Sequence, residues 1–429
     1  MRSALRYWNP EAETMPRERL RLLQLERLRD RLAWVYERVP FYRDQLDKAG
    51  LTPADVRSLP HLGKLPFTKK GDLRDNYPAG LFALPLTDCV RVHASSGTRG
   101  KPTMVGYTRS DLAAWSDVCA RAIVSMGGQP GDVIQNAYGY GLFTGGLGFH
   151  QGAELMGCTV VPTSSGNTAR QILMLQDLGA RGLACTPSYA LNLGDTMREA
   201  GIDPTSIQLR YGMFGAEPWT DELRTQIEQT IPGLKAYDIY GLSEIVGPGV
   251  SVECSERDGL HVQEDHFLVE IVDPESGLPR PYGSTGELVF TNLTKEALCL
   301  IRYRSGDICS LDDTPCPCGR TSVRMSKIKG RSDDMLIIRG VNVFPSEVEA
   351  ALLAVPDVAP HYQLVISRQG ALDEVEVQVE ALADSADLSA RLSRQLRDVL
   401  GLSCRVTVQP SKTIPRSEGK AIRVVDQRA

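Results

Sequence analysis

Between residues 108 and 245 the chain alternates with a regularity that leaves few folds open. Short apolar runs (DVIQNAY from 132, CTVVP from 158, GLACT from 182, LRYGMFG from 209, KAYDIYG from 235) are separated by segments of helical spacing at 109–126, 168–178, 188–199 and 220–230. A glycine-rich stretch, GYGLFTGGLGFHQGAELMG, feeds one further helix before CTVVP. Strands that are apolar on both parities must be covered on both faces, which predicts a parallel sheet between two helical layers. The fold class is therefore α/β. In such a sheet ligands bind beyond the carboxyl ends of the strands. Here those positions are Tyr138–Gly146, Thr186–Tyr189, Gly215–Pro218 and Tyr240–Glu244, each rich in Gly, Tyr, Ser or Glu.

The flanking sequence sets the organisation. At 429 residues the chain is too long for one core and predicts two or three domains. Leu20, Leu23, Leu28, Leu32 and Val35 recur at helical spacing over 17–38, between Pro16 and Pro40, and read as a packing helix. After about 250 the pattern becomes short strands around Pro/Gly turns, a small antiparallel β unit. The last hundred or so residues hold helices and strands enough for a small α+β core of their own, with a boundary near 330. A net charge of −5 without a basic block argues against a nucleic-acid partner. No apolar run is long enough for a membrane span, and the first twenty residues lack an export signal. Most of the ten cysteines sit singly in apolar runs, which fits a reducing cytoplasm.

Five short segments carry candidate chemistry. RVHASSGTRGKPTMVGY (91–107) reads as two strands joined by a turn of hydroxyls, glycines and two cations, a composition suited to polyphosphate. A solvated hairpin turn is the plainer reading of that stretch alone. YDIYGLSE (237–244) ends a strand in an aromatic, a glycine and a carboxylate able to hold Mg²⁺ beside phosphates. In RYRSGD, Asp307 suits the two hydroxyls of a ribose, and Arg304 suits the loop or a phosphate. Gly330–Asp334 has the composition of an interdomain hinge, and Lys420 in PRSEGKAIR sits on a loop that can reach another domain's cleft. Separately, Cys254, His261, Cys316 and Cys318 make a three-thiol, one-imidazole set for a structural zinc, with Cys309 a competing ligand.

These segments resemble the phenylacetate–coenzyme A ligases, a group within the acyl- and aryl-adenylate-forming enzymes. The resemblance spans nearly the whole chain, through LPFTKKGDLRDNYPAGLFALP, HASSGTRGKP, NAYGYGLFTGGLGFHQGAE, CTPSYALNL, FGAEPW, YDIYGLSE, IRYRSGD and GRSDDMLIIRGVNVFPSEVE. It implies a large multi-layer ATP- and aryl-acid-binding domain (1–330, with a β/zinc subdomain at about 250–325) and a small mobile C-terminal domain (331–429). It implies that Ser95, Ser96, Gly97, Thr98, Gly100 and Lys101 form the phosphate-binding loop. Gly215, Ala216, Glu217 and Pro218 would border the adenine and acid pocket, with Asp238, Ile239 and Tyr240 at the adenine. Glu244 would take Mg²⁺, Asp307 the ribose, and Arg331 the ribose or a phosphate. Asp333 would be the hinge and Lys420 the adenylation lysine. Tyr138, Phe143 and Gly146, with Ala216, would enclose the ring of the acid.

Two departures from the family pattern stand out, Arg99 in the phosphate loop and Ser164-Ser165-Gly166 where glycines are usual. The expected reaction is adenylation of an aromatic acid by ATP with pyrophosphate release, then thioester formation with coenzyme A. A carrier protein or an amine as acceptor, a homodimeric assembly, and a nucleotide-binding module without chemistry are the alternatives.

Overall fold

The computed structural model describes residues 5–95, 101–331, 336–338, 341–369, 372–382, 387–401, 404–416 and 421–428. Five strands run parallel in the spatial order Thr159–Val161, Val133–Asn136, Gly182–Cys185, Tyr211–Gly215 and Lys235–Leu242. Their side chains alternate between two layers. Leu183, Cys185, Phe214 and Ala236 pack with Leu175, Leu193 and Ile227 of the helices Thr168–Asp177, Pro187–Glu199 and Asp221–Thr230. Ala184, Met213, Tyr237 and Ile239 pack with Ile123 and Phe149 of the helices Arg109–Ser125 and Thr144–Leu155. This is the doubly covered sheet that the alternating sequence predicts.

The sheet does not stop where the sequence pattern changes. After Lys235–Leu242 the chain reverses through Ser243–Val246, and Gly247–Glu253, Leu260–Val262, Arg324–Met325 and Leu311–Asp312 extend the same sheet antiparallel. A second, four-stranded antiparallel sheet holds Phe267–Val272, Gly286–Asn292, Tyr303–Cys309 and Gly330–Arg331. The helix Arg17–Arg38 buries Leu20, Leu28, Leu32 and Val35 against these layers. The buried residue between Leu20 and Leu28 is Gln24, not Leu23, and its amide donates to Glu264 O at 3.0 Å.

The C-terminal part has its own sheet, in the order Arg405–Gln409, Leu372–Ala381, Val358–Gln369 and Val424–Asp426. The helices Pro345–Leu353 and Leu388–Leu400 share one core with it through Val348, Leu352, Leu364, Leu392 and Leu396. Among the described residues no helix is long and apolar enough to cross a membrane.

Candidate active site

The hairpin of Arg91–Ala94 and Met104–Tyr107 is antiparallel, with Arg91 opposite Tyr107 and Ala94 opposite Met104. At its tip Ser95 N donates to Thr103 O at 2.9 Å, and the Lys101 ammonium lies 5.0 Å from the centre of the Tyr77 ring. Ser96, Gly97, Thr98, Arg99 and Gly100 lie outside the described residues. Tyr107 fixes this hairpin to the turn that carries Glu244. Its hydroxyl donates to Val246 O at 2.9 Å, and its ring stacks on Trp115, whose indole donates to Pro248 O at 3.0 Å.

Lys295 completes the joint, with Nζ 4.4 Å from the centre of the Tyr107 ring and 3.0 Å from Ile245 O. Burial pushes its ammonium down to about 8 despite the neighbouring Asp111. Sequence reasoning missed this residue, although a lysine in the apolar context LTKEALCLI was a signal. The hairpin strands and the turn that carries Glu244, itself buried, are thus packed into one block.

Tyr240, Asp307 and Arg331 converge from different sheets. The Tyr240 hydroxyl donates to Asp307 Oδ2 at 2.5 Å, and Arg331 Nη1 donates to Asp307 Oδ1 at 2.7 Å. Asp307 and Arg331 face each other across paired strands, which sets that distance. Burial, with the Asp307 charge beside it, pushes the Tyr240 phenol well above its ordinary range, so it remains a donor. Arg304, three residues earlier, is committed elsewhere, to Glu287 and the carbonyl of Pro274. It holds the loop, one of its two expected roles.

Gly215 ends its strand so close to the next that an added Cβ would lie 2.1 Å from Ile239 O. Ala216 then turns with φ of +70°, an uncommon conformation for a residue with a side chain. This sharp exit throws Glu217 and Pro218 past the strand ends. Asp238 is buried on the neighbouring strand, and burial together with Glu253 pushes its carboxyl up to about 6.

The ring-pocket candidates are placed as follows. Tyr138 is buried and stacks on Phe149 with centroids 5.6 Å apart, and its hydroxyl reaches Met213 O at 3.4 Å. Phe143 is half-buried against the same cluster, at the start of helix Thr144–Leu155. Gly146 lies against the backbone of Gly139, and its carbonyl accepts from Asn136 Nδ2 at 2.6 Å. Ser164 and Ser165 do not cap the following helix, since Asn167 does so by accepting from Arg170 N. Ser164 instead accepts from Tyr140 N at 3.4 Å, while Ser165 is exposed, and a Cβ added at Gly139 would lie 3.8 Å from its hydroxyl.

The AMP-binding enzyme family profile matches residues 45–293, and that of the AMP-binding enzyme C-terminal domain matches 340–428. The phenylacetate–coenzyme A ligase of Thermus thermophilus is 53% identical over 98% of this chain and 99% of its own length. The chain belongs to the phenylacetate–CoA ligase family of AMP-binding enzymes. The family's reaction is ATP-dependent, AMP-forming ligation of an acid to coenzyme A through the acyl-adenylate.

Among solved structures, a 2-hydroxyisobutyryl-CoA ligase in its postadenylation state superposes with a TM-score of 0.93 at 31% identity, covering 100% of this chain and 94% of that one. The same ligase in the thioesterification state gives 0.75 at 32% identity, over 99% and 93%. The two domains of this phenylacetate–CoA ligase family member are therefore arranged as in the postadenylation form.

Contacts between the domains follow from that arrangement. His361 Nε2 lies 3.3 Å from Asp195 Oδ2, Lys412 Nζ lies 2.7 Å from Glu199 Oε2, and Ala421 N donates to Glu217 Oε2 at 2.8 Å. No local motif marks the large-domain partners Asp195 and Glu199. Asp333 and Lys420 lie outside the described residues.

Away from the cleft, the thiols of Cys254, Cys316 and Cys318 and the imidazole of His261 are buried, with ligand atoms all within 4.8 Å of one another. Antiparallel pairing of Leu260–Val262 with Arg324–Met325 brings the two halves of the set together. Cys309 is not among them, being packed in the main core with Leu311. The N-terminal segment straps onto this knuckle. Tyr7 Oη donates to Cys318 O at 2.7 Å, Arg6 Nη2 donates to the same carbonyl at 2.8 Å, and Arg320 pairs with Glu13.

Proposed function

We propose that this ligase acts on a single-ring aryl acid, with phenylacetate the first candidate. What carries the reading is the convergence of Tyr240, Asp307 and Arg331 beside the block that joins the hairpin to Glu244, in a chain with phenylacetate–CoA ligase relatives. The acid's carboxylate oxygen attacks the α-phosphorus of ATP, the bond to pyrophosphate breaks, and an acyl-adenylate forms. The thiol of coenzyme A then attacks the carbonyl, loses its proton, and AMP leaves.

Asp307 would take the ribose, the hairpin tip the phosphates, and Lys420 the charge that builds up during adenylation. Glu244 would hold Mg²⁺. A buried carboxylate with hydroxyls nearby is a hard-oxygen donor set, and the cation would supply charge neutralisation at the phosphates. The small domain would turn about Asp333 between half-reactions, with the boundary near 330. The cysteines are mostly core residues or knuckle thiols, which supports a reducing, cytoplasmic setting.

At the knuckle we propose a structural zinc. Two thiolates about 2.3 Å from a tetrahedral ion lie about 3.8 Å apart. Cys254 and Cys316 have their sulfurs 3.8 Å apart, and Cys318 Sγ lies 3.4 Å from His261 Nε2. All four positions are protein ligands, so the ion would have no open site for chemistry.

The reading is tested by pyrophosphate exchange across phenylacetate, benzoate and their hydroxy and amino derivatives, followed by thioester assay with free coenzyme A. Exchange with phenylacetate, and thioester from it, is the expected result. Silence across the panel refutes the aryl-acid assignment, and exchange without thioester moves the acceptor to a carrier protein or amine. A preference for substituted acids that disappears in Ser165→Gly would place that hydroxyl at the ring.

Asp307→Asn turns an amide toward donors that now meet a carboxylate. It should raise KM for ATP roughly ten- to hundredfold and leave KM for the acid within about twofold. An unchanged KM for ATP removes Asp307 from the nucleotide site.

A further inference from the structure

Glu217, in a strand-end loop, touches both domains through separate oxygens. Its Oε1 accepts from Ser188 N at 2.9 Å and from the Ser188 hydroxyl, at the first turn of helix Pro187–Glu199. Its Oε2 accepts from Ala421 N at 2.8 Å, in the small domain. A carboxylate at a helix N-terminus is favoured by the unpaired amides there and by the helix dipole. Ala216, in its left-handed conformation, aims the side chain at this position.

On the small-domain side the surroundings suit an anion. Arg423, two residues beyond Ala421, lies over the Tyr362 ring at 4.4 Å and pairs with Glu349 at 3.3 Å. Glu349 is buried on the helix Pro345–Leu353, and both it and Arg423 feel the charge of Glu217. Arg423 thus offsets two carboxylates, one from each domain.

We propose that Glu217 is a positioning residue whose carboxylate bridges the N-terminus of helix Pro187–Glu199 and the amide of Ala421, holding the small domain in the orientation used for adenylation. The inference rests on the reading of the chain as an adenylating ligase. The bridge belongs to one orientation only, because a turn of the small domain carries Ala421 away while Ser188 stays.

The chemistry supplies a near-isosteric test. Among the described residues each hydrogen-bond partner of Glu217 is a donor, so a carboxylate satisfies both sides, whereas the amide of glutamine offers one oxygen and one NH₂. Glu217→Gln must leave one side facing donor to donor without removing volume. In amide hydrogen exchange of the full chain, Ala421 should lose protection about tenfold or more in this variant. Pyrophosphate exchange should slow roughly ten- to hundredfold, and by a larger factor than thioester formation from supplied acyl-adenylate. Glu217→Ala should show the same split, more strongly.

Unchanged protection at Ala421 in Glu217→Gln overturns the bridge, and equal loss in both half-reactions overturns its assignment to adenylation. The exchange measurement needs no substrate. Loss of protection together with silence across the acid panel would therefore keep the bridge and reject the functional reading.

Discussion

Replacing Lys420 by alanine should slow acyl-adenylate formation by about a hundredfold or more, a loss on the order of 3 kcal/mol of transition-state stabilisation. The charge that builds on the phosphates during attack is offset by cations, and Lys420 is proposed as one of them. The next residue in the chain, Ala421, has its amide tied to Glu217 at 2.8 Å. Thioester formation from supplied acyl-adenylate should be spared, since that half-reaction uses the turned domain. Single-turnover assays of the two halves decide the matter. Equal loss in both makes Lys420 structural, and no loss in the first removes it from catalysis.

Cys316→Ser should reduce bound zinc from about one per chain to none, because a hard hydroxyl is a poor replacement for a thiolate in a closed tetrahedral site. The consequence should reach the N-terminus. Tyr7 and Arg6 both donate to the carbonyl of Cys318, and Arg320 holds Glu13, so a loosened knuckle releases residues 5–14. Trypsin should then cut at Arg6 and Arg17 well before it attacks the core, with local stability reduced by several kcal/mol. Elemental analysis beside timed proteolysis reads both effects. Full zinc in the serine variant excludes Cys316 as a ligand, and absence of zinc from the parent protein removes the metal altogether.

The parallel half of the sheet was legible because its strands are apolar on both parities and its helices are periodic. Its antiparallel half was not. Gly247–Glu253 and Leu260–Val262 read as the start of a new β unit, since no local pattern says that a reversal at Ser243–Val246 returns the chain to the same sheet. Helix Arg17–Arg38 shows a finer limit, because periodicity favoured Leu23 while the buried position belongs to Gln24, held by a carbonyl that lies 240 residues away in sequence. Within the candidate site, residues on strand ends were visible through their motifs. Lys295 and Asp195 were not, because each is defined by a partner distant in sequence. Glu349 carried a usable sign, an acid on the apolar face of its helix, which calls for a cation such as Arg423.

Helix Pro187–Glu199 meets the small domain along its length, at Asp195 and Glu199 as well as at its first turn through Glu217. The Lys412–Glu199 pair is open to solvent, and such pairs contribute about 1 kcal/mol or less. The buried and expensive pair, Arg423 with Glu349, lies wholly within the small domain and travels with it. The seam itself combines an exposed pair of the Lys412–Glu199 kind with a charge-assisted bridge from Glu217 to Ala421. On the proposed reading of a turning small domain, a seam of that kind lets the same two surfaces part and meet again without either body having to loosen.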